Sequence, residues 1–161
     1  MPELKQSLRT LSIGTNDFRN AQQVNIDGFR ELTSISFGDN SFDSNIGYLS
    51  IWNCSKLQSI SFGRYVFQFA ESLSIYDLPQ LNSVAFNQNS FQYTKTANLY
   101  NLDSISGLYF DNNCFQNVDH FSIKSQLWLL YYWWVDIPNL LSVEMKDHSV
   151  KQVKVVIFES N

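Results

Sequence analysis

Ionic side chains are scarce in this chain: 16% of its 161 residues are charged, and the net charge is -4. Its lysines and arginines are scattered and form no basic stripe. Nucleic acid and anionic membranes therefore have no electrostatic foothold. Cysteine is almost missing, and Cys54 and Cys114 carry no metal-ligand spacing and fall at different phases of non-adjacent repeats, so neither a metal site nor an internal disulfide is expected. Long apolar runs are absent too. The only one, Leu127 to Val135, is half the length a membrane-spanning helix needs, so no membrane insertion is expected. Met1-Pro2-Glu3-Leu4-Lys5 has no apolar signal core, which makes the cytoplasm the default compartment, or the cell surface if the chain is a piece of a longer protein. No Gly-rich phosphate loop or paired-carboxylate motif occurs. His120 and His148 stand at unrelated repeat positions without a serine, cysteine and carboxylate arrangement beside them, so no catalytic residue and no cofactor are expected.

What the sequence has in quantity is apolar side chains, 44%, with neutral Asn, Gln and Ser to cover them. One domain with a core is expected. The apolar residues recur as apolar-x-x-apolar-x-apolar-x-x-Asn-x-Phe. The first copy is Leu8, Leu11, Ile13, Asn16, Phe18 and the second is Leu32, Ile35, Phe37, Asn40, Phe42. The third, Leu57, Ile60, Phe62, Tyr65, Phe67, has tyrosine in the asparagine place. Leu81, Val84, Phe86, Asn89, Phe91 and Ile105, Leu108, Phe110, Asn113, Phe115 follow, then a degenerate Leu140, Val143, Met145, His148, Val150. The first anchors step by 24, 25, 24 and 24 residues, then by 35. Regular spacing of this kind marks a stack of identical supersecondary units. The pattern resembles the leucine-rich repeat, in its short, BspA-like variant found in bacterial surface proteins and in unicellular eukaryotes, with phenylalanine unusually frequent. The resemblance spans nearly the whole chain. It implies a single solenoid domain over 1–161 with coils near 8–31, 32–56, 57–80, 81–104, 105–139 and 140–161, the fifth carrying an insertion at 125–136.

Each coil has a second alternating pair: Val24/Ile26, Leu49/Ile51, Leu73/Ile75, Ala97/Leu99 and Phe121/Ile123. A period of two means a second short strand. Phe29, Leu78, Leu102 and Ile137 point inward after it, and Pro79 and Pro138 turn the chain into the next coil. Two facing parallel β-sheets are predicted, in a mainly β solenoid of about six coils. Asn16, Asn40, Asn89 and Asn113 are expected to form an internal ladder whose amides bond backbone groups at the bend, so that Asn40→Leu costs on the order of 1–3 kcal/mol. Neither end shows a polar helix or disulfide cap, so self-association through the uncapped ends is expected.

The outward positions nominate binding surfaces. The first strand presents small residues, Thr10/Ser12, Ser34/Ser36 and Ser59/Ser61, and becomes bulkier late, at Tyr109. After the second strand, Trp52, Tyr76 and Tyr100 stack in consecutive coils, either as a platform for a sugar ring or as a packing ladder. The insertion gathers Trp128, Tyr131, Tyr132, Trp133 and Trp134, an aromatic cluster that reads either as an interaction loop or as an extra partial coil. The function expected is a protein-interaction or adhesion module. Carbohydrate binding and a purely structural fragment are the alternatives.

Overall fold

The computed structural model describes residues 2–43 and 47–124. The first strand of each coil joins one sheet, β1 (Thr10–Ile13), β3 (Ser34–Phe37), β5 (Ser59–Phe62), β7 (Ser83–Phe86) and β9 (Gly107–Phe110). The second strand joins the other, β2 (Gln23–Asp27), β4 (Tyr48–Trp52), β6 (Ser72–Tyr76), β8 (Thr96–Tyr100) and β10 (His120–Lys124). Each sheet is five-stranded, parallel, and ordered as the coils are ordered. The chain is thus a mainly β solenoid of about five turns over the described residues. The sixth copy and the insertion at 125–136 lie outside them.

Repeat partners sit directly over one another. Ile35 pairs with Ile60 and Ile60 with Val84, while Leu49 pairs with Leu73 and Leu73 with Ala97. The single 25-residue step is absorbed between Phe42 and Tyr48: Phe42 stacks on Phe67, but Tyr48 pairs with Ser72. Strand side chains alternate between core and surface, because a pleated strand turns successive residues to opposite faces. The core this builds contains two phenylalanine columns. Phe37, Phe62, Phe86 and Phe110 stack at 5.0, 5.1 and 5.1 Å, and Phe42, Phe67, Phe91 and Phe115 at 4.6, 5.3 and 5.3 Å. The columns meet edge to face, as between Phe62 and Phe91 at 4.9 Å.

The bends explain the sequence pattern. The Asn and Phe of the motif both have left-handed backbone, with φ of 55° at Asn40 and 53° at Phe42, and the same pair of positive angles recurs in all five coils. A left-handed residue with a β-carbon costs roughly 1–2 kcal/mol, least for asparagine. For phenylalanine that cost is offset by burying the ring, worth about 1.5–3 kcal/mol, and by ring stacking. The second corner uses Gly28, Asn53, Asp77 and Asn101, all left-handed and all residue types that tolerate it.

The asparagine column departs from the expected internal ladder. At the bend the backbone amide donates to a backbone carbonyl of the next coil, Asn40 to Arg64 at 2.8 Å and Asn89 to Asn112 at 3.0 Å, so no side chain is needed there. Asn16 and Asn113 are exposed, Asn40 is half-buried, and Asn89 alone is buried. Their amides bond other side chains where they bond at all: Asn113 Nδ2 donates to Asn89 Oδ1 at 3.0 Å, and Asn16 Oδ1 accepts from Arg19 at 2.8 Å. Among the described residues the Asn40 side-chain amide makes no hydrogen bond. The recurring feature of this column is its left-handed backbone, which asparagine adopts most readily and Tyr65 also adopts, rather than a continuous buried pairing.

The N-terminal end also differs from expectation, since a short helix α1 (Pro2–Ser7) precedes the first coil. Six residues cannot hold a helix alone. This one is held by docking: the Arg30 amide donates to the Lys5 carbonyl at 2.9 Å, and Lys5 Nζ reaches Asp27 at 3.0 Å and lies 5.7 Å from the centre of the Phe29 ring. The helix covers the corner around 27–30. The other half of that end stays open, a hollow of about 280 Å³ lined by Leu11, Ile13, Phe18, Val24, Ile26 and other first- and second-coil residues.

Candidate functional surfaces

On the outer face of the first sheet the hydroxyls bond from coil to coil, Ser36 to Ser12 at 3.1 Å and Ser34 to Thr10 at 3.4 Å. In these first two coils the hydroxyls are satisfied by each other and offer little to a partner. Tyr109, the large residue expected late on this face, is 44% exposed, and its ring covers Gly107, where an added Cβ would lie 2.9 Å from the tyrosine ring. Bare backbone in the Ser/Thr column is thereby shielded by the neighbouring aromatic.

The expected column on the second sheet is present. Trp52 and Tyr76 stack at 5.6 Å with planes 6° apart, and Tyr76 and Tyr100 at 4.7 Å with planes 10° apart. Parallel rings this close overlap, whereas coplanar side-by-side rings would lie farther apart. Each ring thus covers its neighbour's face and turns an edge to solvent, and a pyranose stacks on faces. Burial pushes the Tyr100 hydroxyl above the ordinary phenol range, with Tyr76 and Asp77 adding to the shift. Tyr48 lies on the same face as an anchored side chain, accepting from Asn25 at 3.2 Å and donating to Gln23 at 3.0 Å.

A third surface, on the edge of the first bend, was not singled out from the sequence. Phe69 and Tyr93 stack at 5.2 Å with planes 3° apart, and both remain largely in water, 43% and 47% exposed. Tyr65, the residue that replaces asparagine, is exposed on the same bend. Beside them runs a glutamine ladder: Gln68 donates to Gln92 at 2.6 Å and Gln92 to Gln116 at 2.7 Å. The signal was in the sequence, since Phe69/Tyr93 and Gln68/Gln92/Gln116 recur at the repeat period. It is masked by falling in the loop rather than in a strand, where alternation calls attention to a position.

Both cysteines are free and buried. Cys54 occupies the inward corner column of Phe29, Leu78 and Leu102, and Cys114 Sγ lies 3.2 Å from the Phe86 carbonyl and 3.1 Å from that of Asn87. Burial pushes both thiols up. Glu31 is held below the usual carboxylate range by its hydrogen bond from Lys56, 2.7 Å away. His120 is exposed on β10, and among the described residues no three metal-ligating side chains come together. Trp128, Tyr131, Tyr132, Trp133 and Trp134 lie outside the described residues.

Compared with known protein families, with curated proteins and with solved structures, the chain matches none.

Proposed function

We propose that this chain is a non-enzymatic protein-interaction or adhesion module, a leucine-rich-repeat solenoid of the short, BspA-like kind. The observation that supports it best is the pair Phe69 and Tyr93, aromatic rings left in water on a rigid bend although a buried core lies within reach of the same coils. Exposed aromatic side chains held in fixed geometry suit a protein contact, because little side-chain freedom remains to be lost when a partner covers them. The glutamine ladder beside them adds fixed amide groups for hydrogen bonding at the rim. No cofactor, metal, nucleic acid or membrane is assigned to it. The compartment in keeping with an adhesion role is the cell surface.

The Trp52, Tyr76 and Tyr100 column belongs in this reading to the stack rather than to a glycan, because its faces are used between coils. A glycan array probed with the intact chain should give no signal above background. The test of the main reading is capture of a cell-surface or extracellular protein that binds the wild-type chain and is released by the double variant Phe69→Ser, Tyr93→Ser while Trp52→Ser leaves it bound. Equal binding by all three chains would remove the bend edge from the interface.

A further inference from the structure

We infer that the bend edge at Phe69 and Tyr93 binds a proline-rich peptide in the polyproline II conformation, laid along the solenoid axis. This inference rests on the protein-contact reading above and names the chemistry of the partner.

The edge repeats once per coil. Its rungs are Gln68, Gln92 and Gln116, all half-buried, and their side-chain amides link them in order, Gln68 Nε2 to Gln92 Oε1 and Gln92 Nε2 to Gln116 Oε1. The backbone of the same rungs is used unevenly. The Gln68 carbonyl accepts from the Tyr93 amide and the Gln92 carbonyl from the Asn117 amide, both at 2.9 Å, and Asn117 Nδ2 adds a second bond to the Gln92 carbonyl at 3.3 Å. The backbone N–H groups of Gln68, Gln92 and Gln116 have no partner among the described residues. Unpaired N–H groups persist in a folded chain only where water reaches them, so the edge carries a column of free donors beside carbonyls that are already engaged. A partner that suits it brings carbonyls without N–H groups of its own. Proline is the residue that does so.

Spacing then selects the conformation of that partner. Paired strands, and with them the coils, lie about 4.8 Å apart, which puts Gln68 and Gln116 roughly 9.6 Å apart along the axis. A polyproline II helix completes a turn of three residues in about 9.3 Å, so every third carbonyl returns to the same side in step with these two rungs. An extended strand repeats on one side at about 6.8 Å and falls out of step.

The rings complete the site. Phe69 and Tyr93 each follow a rung, and their column stops at Tyr93, because the next coil has Asn117 in that place with its amide turned to the Gln92 carbonyl. One face of Tyr93 is covered by Phe69; the other meets no ring among the described residues, and the side chain is 47% exposed. A pyrrolidine ring packs on such a face, and a polyproline II chain loses little freedom in doing so. Charge selects against ionic ligands. Glu71, Lys95 and Asp119, exposed three positions beyond the rungs, alternate in sign, so neither an acidic nor a basic peptide is drawn to the edge.

The test is fluorescence anisotropy of labelled decaproline titrated with the full chain. Saturable binding with Kd below about 1 mM is expected, and a ten-residue Gly-Ser peptide, which has carbonyls but neither rings nor a fixed helix, should bind at least about tenfold more weakly. Tyr93→Ser should weaken decaproline binding at least about tenfold, Tyr93→Phe should keep it within about threefold, and Trp52→Ser should leave it unchanged. The circular dichroism of Tyr93→Ser should match the wild type, since the ring lies at the surface. Absence of decaproline binding, equal binding of the Gly-Ser peptide, or a Tyr93→Ser chain that binds like the wild type would each overturn the inference. The two readings fail separately: a captured protein that the Phe69→Ser, Tyr93→Ser chain releases but decaproline does not displace would overturn this inference and leave the protein contact standing.

Discussion

Replacing Asn40 by glycine and by alanine should separate two physical reasons for the asparagine column by sign alone. If the amide stabilised the bend by bonding buried backbone, both variants would lose it, at about 1–3 kcal/mol each. Were the left-handed angle itself without cost, glycine would then be the worse by roughly 0.5–1 kcal/mol, because it has more backbone freedom to lose on folding. The structure argues the opposite order. Asn40 has φ of 55°, its backbone amide is already satisfied by Arg64, and its side chain is half-buried without a hydrogen bond among the described residues. Alanine then meets the left-handed penalty of roughly 1–2 kcal/mol, while glycine escapes it. With the entropy difference subtracted, Asn40→Gly should be more stable than Asn40→Ala by about 0.5–1 kcal/mol. Urea unfolding followed by far-ultraviolet circular dichroism resolves that gap, because slopes of about 1–3 kcal/mol per molar turn it into a midpoint difference of a few tenths molar. A glycine variant less stable than alanine would refute the conformational explanation. The molecule holds its own control in Tyr65, whose φ is 57° at the same place in the next coil and whose ring is 40% exposed. Tyr65→Asn should stabilise by about 0.5–1 kcal/mol.

Other outcomes follow from the core. Thr94 is fully buried with no hydrogen-bond partner for its hydroxyl among the described residues, in the column of Ala70 and Val118, so Thr94→Val should raise stability by about 1 kcal/mol in the same assay. Phe62→Ala should cost about 3–5 kcal/mol, since the ring is fully buried and stacked on both sides at 5.0 and 5.1 Å; a loss under 1 kcal/mol would mean that the columns do not pack as described. Cys54 and Cys114 should resist a thiol reagent in the folded protein and react on unfolding. Because burial raises their folded pKa values, the unfolded chain ionises first, so stability should fall as pH rises past the ordinary thiol range, and replacing both with alanine should flatten that fall.

The sequence by itself determined the register. Anchors repeated at 24 or 25 residues, with alternating pairs at two fixed phases, leave one economical solution: stacked coils whose equivalent residues share one core. Phe37, Phe62, Phe86 and Phe110 hold the same place in successive copies, and they stack in one column. The outward positions of both sheets followed from the same alternation. Tertiary structure alone decided three matters. The role of Asn40 depended on a backbone angle and a cross-coil hydrogen bond, and residue identity cannot separate a left-handed bend from a buried amide. The faces of Trp52, Tyr76 and Tyr100 depended on ring tilt, which spacing leaves free. The helix at Pro2–Ser7 depended on docking to Asp27 and Arg30, because six residues carry too little helix propensity of their own, and their partners lie more than twenty residues away along the chain.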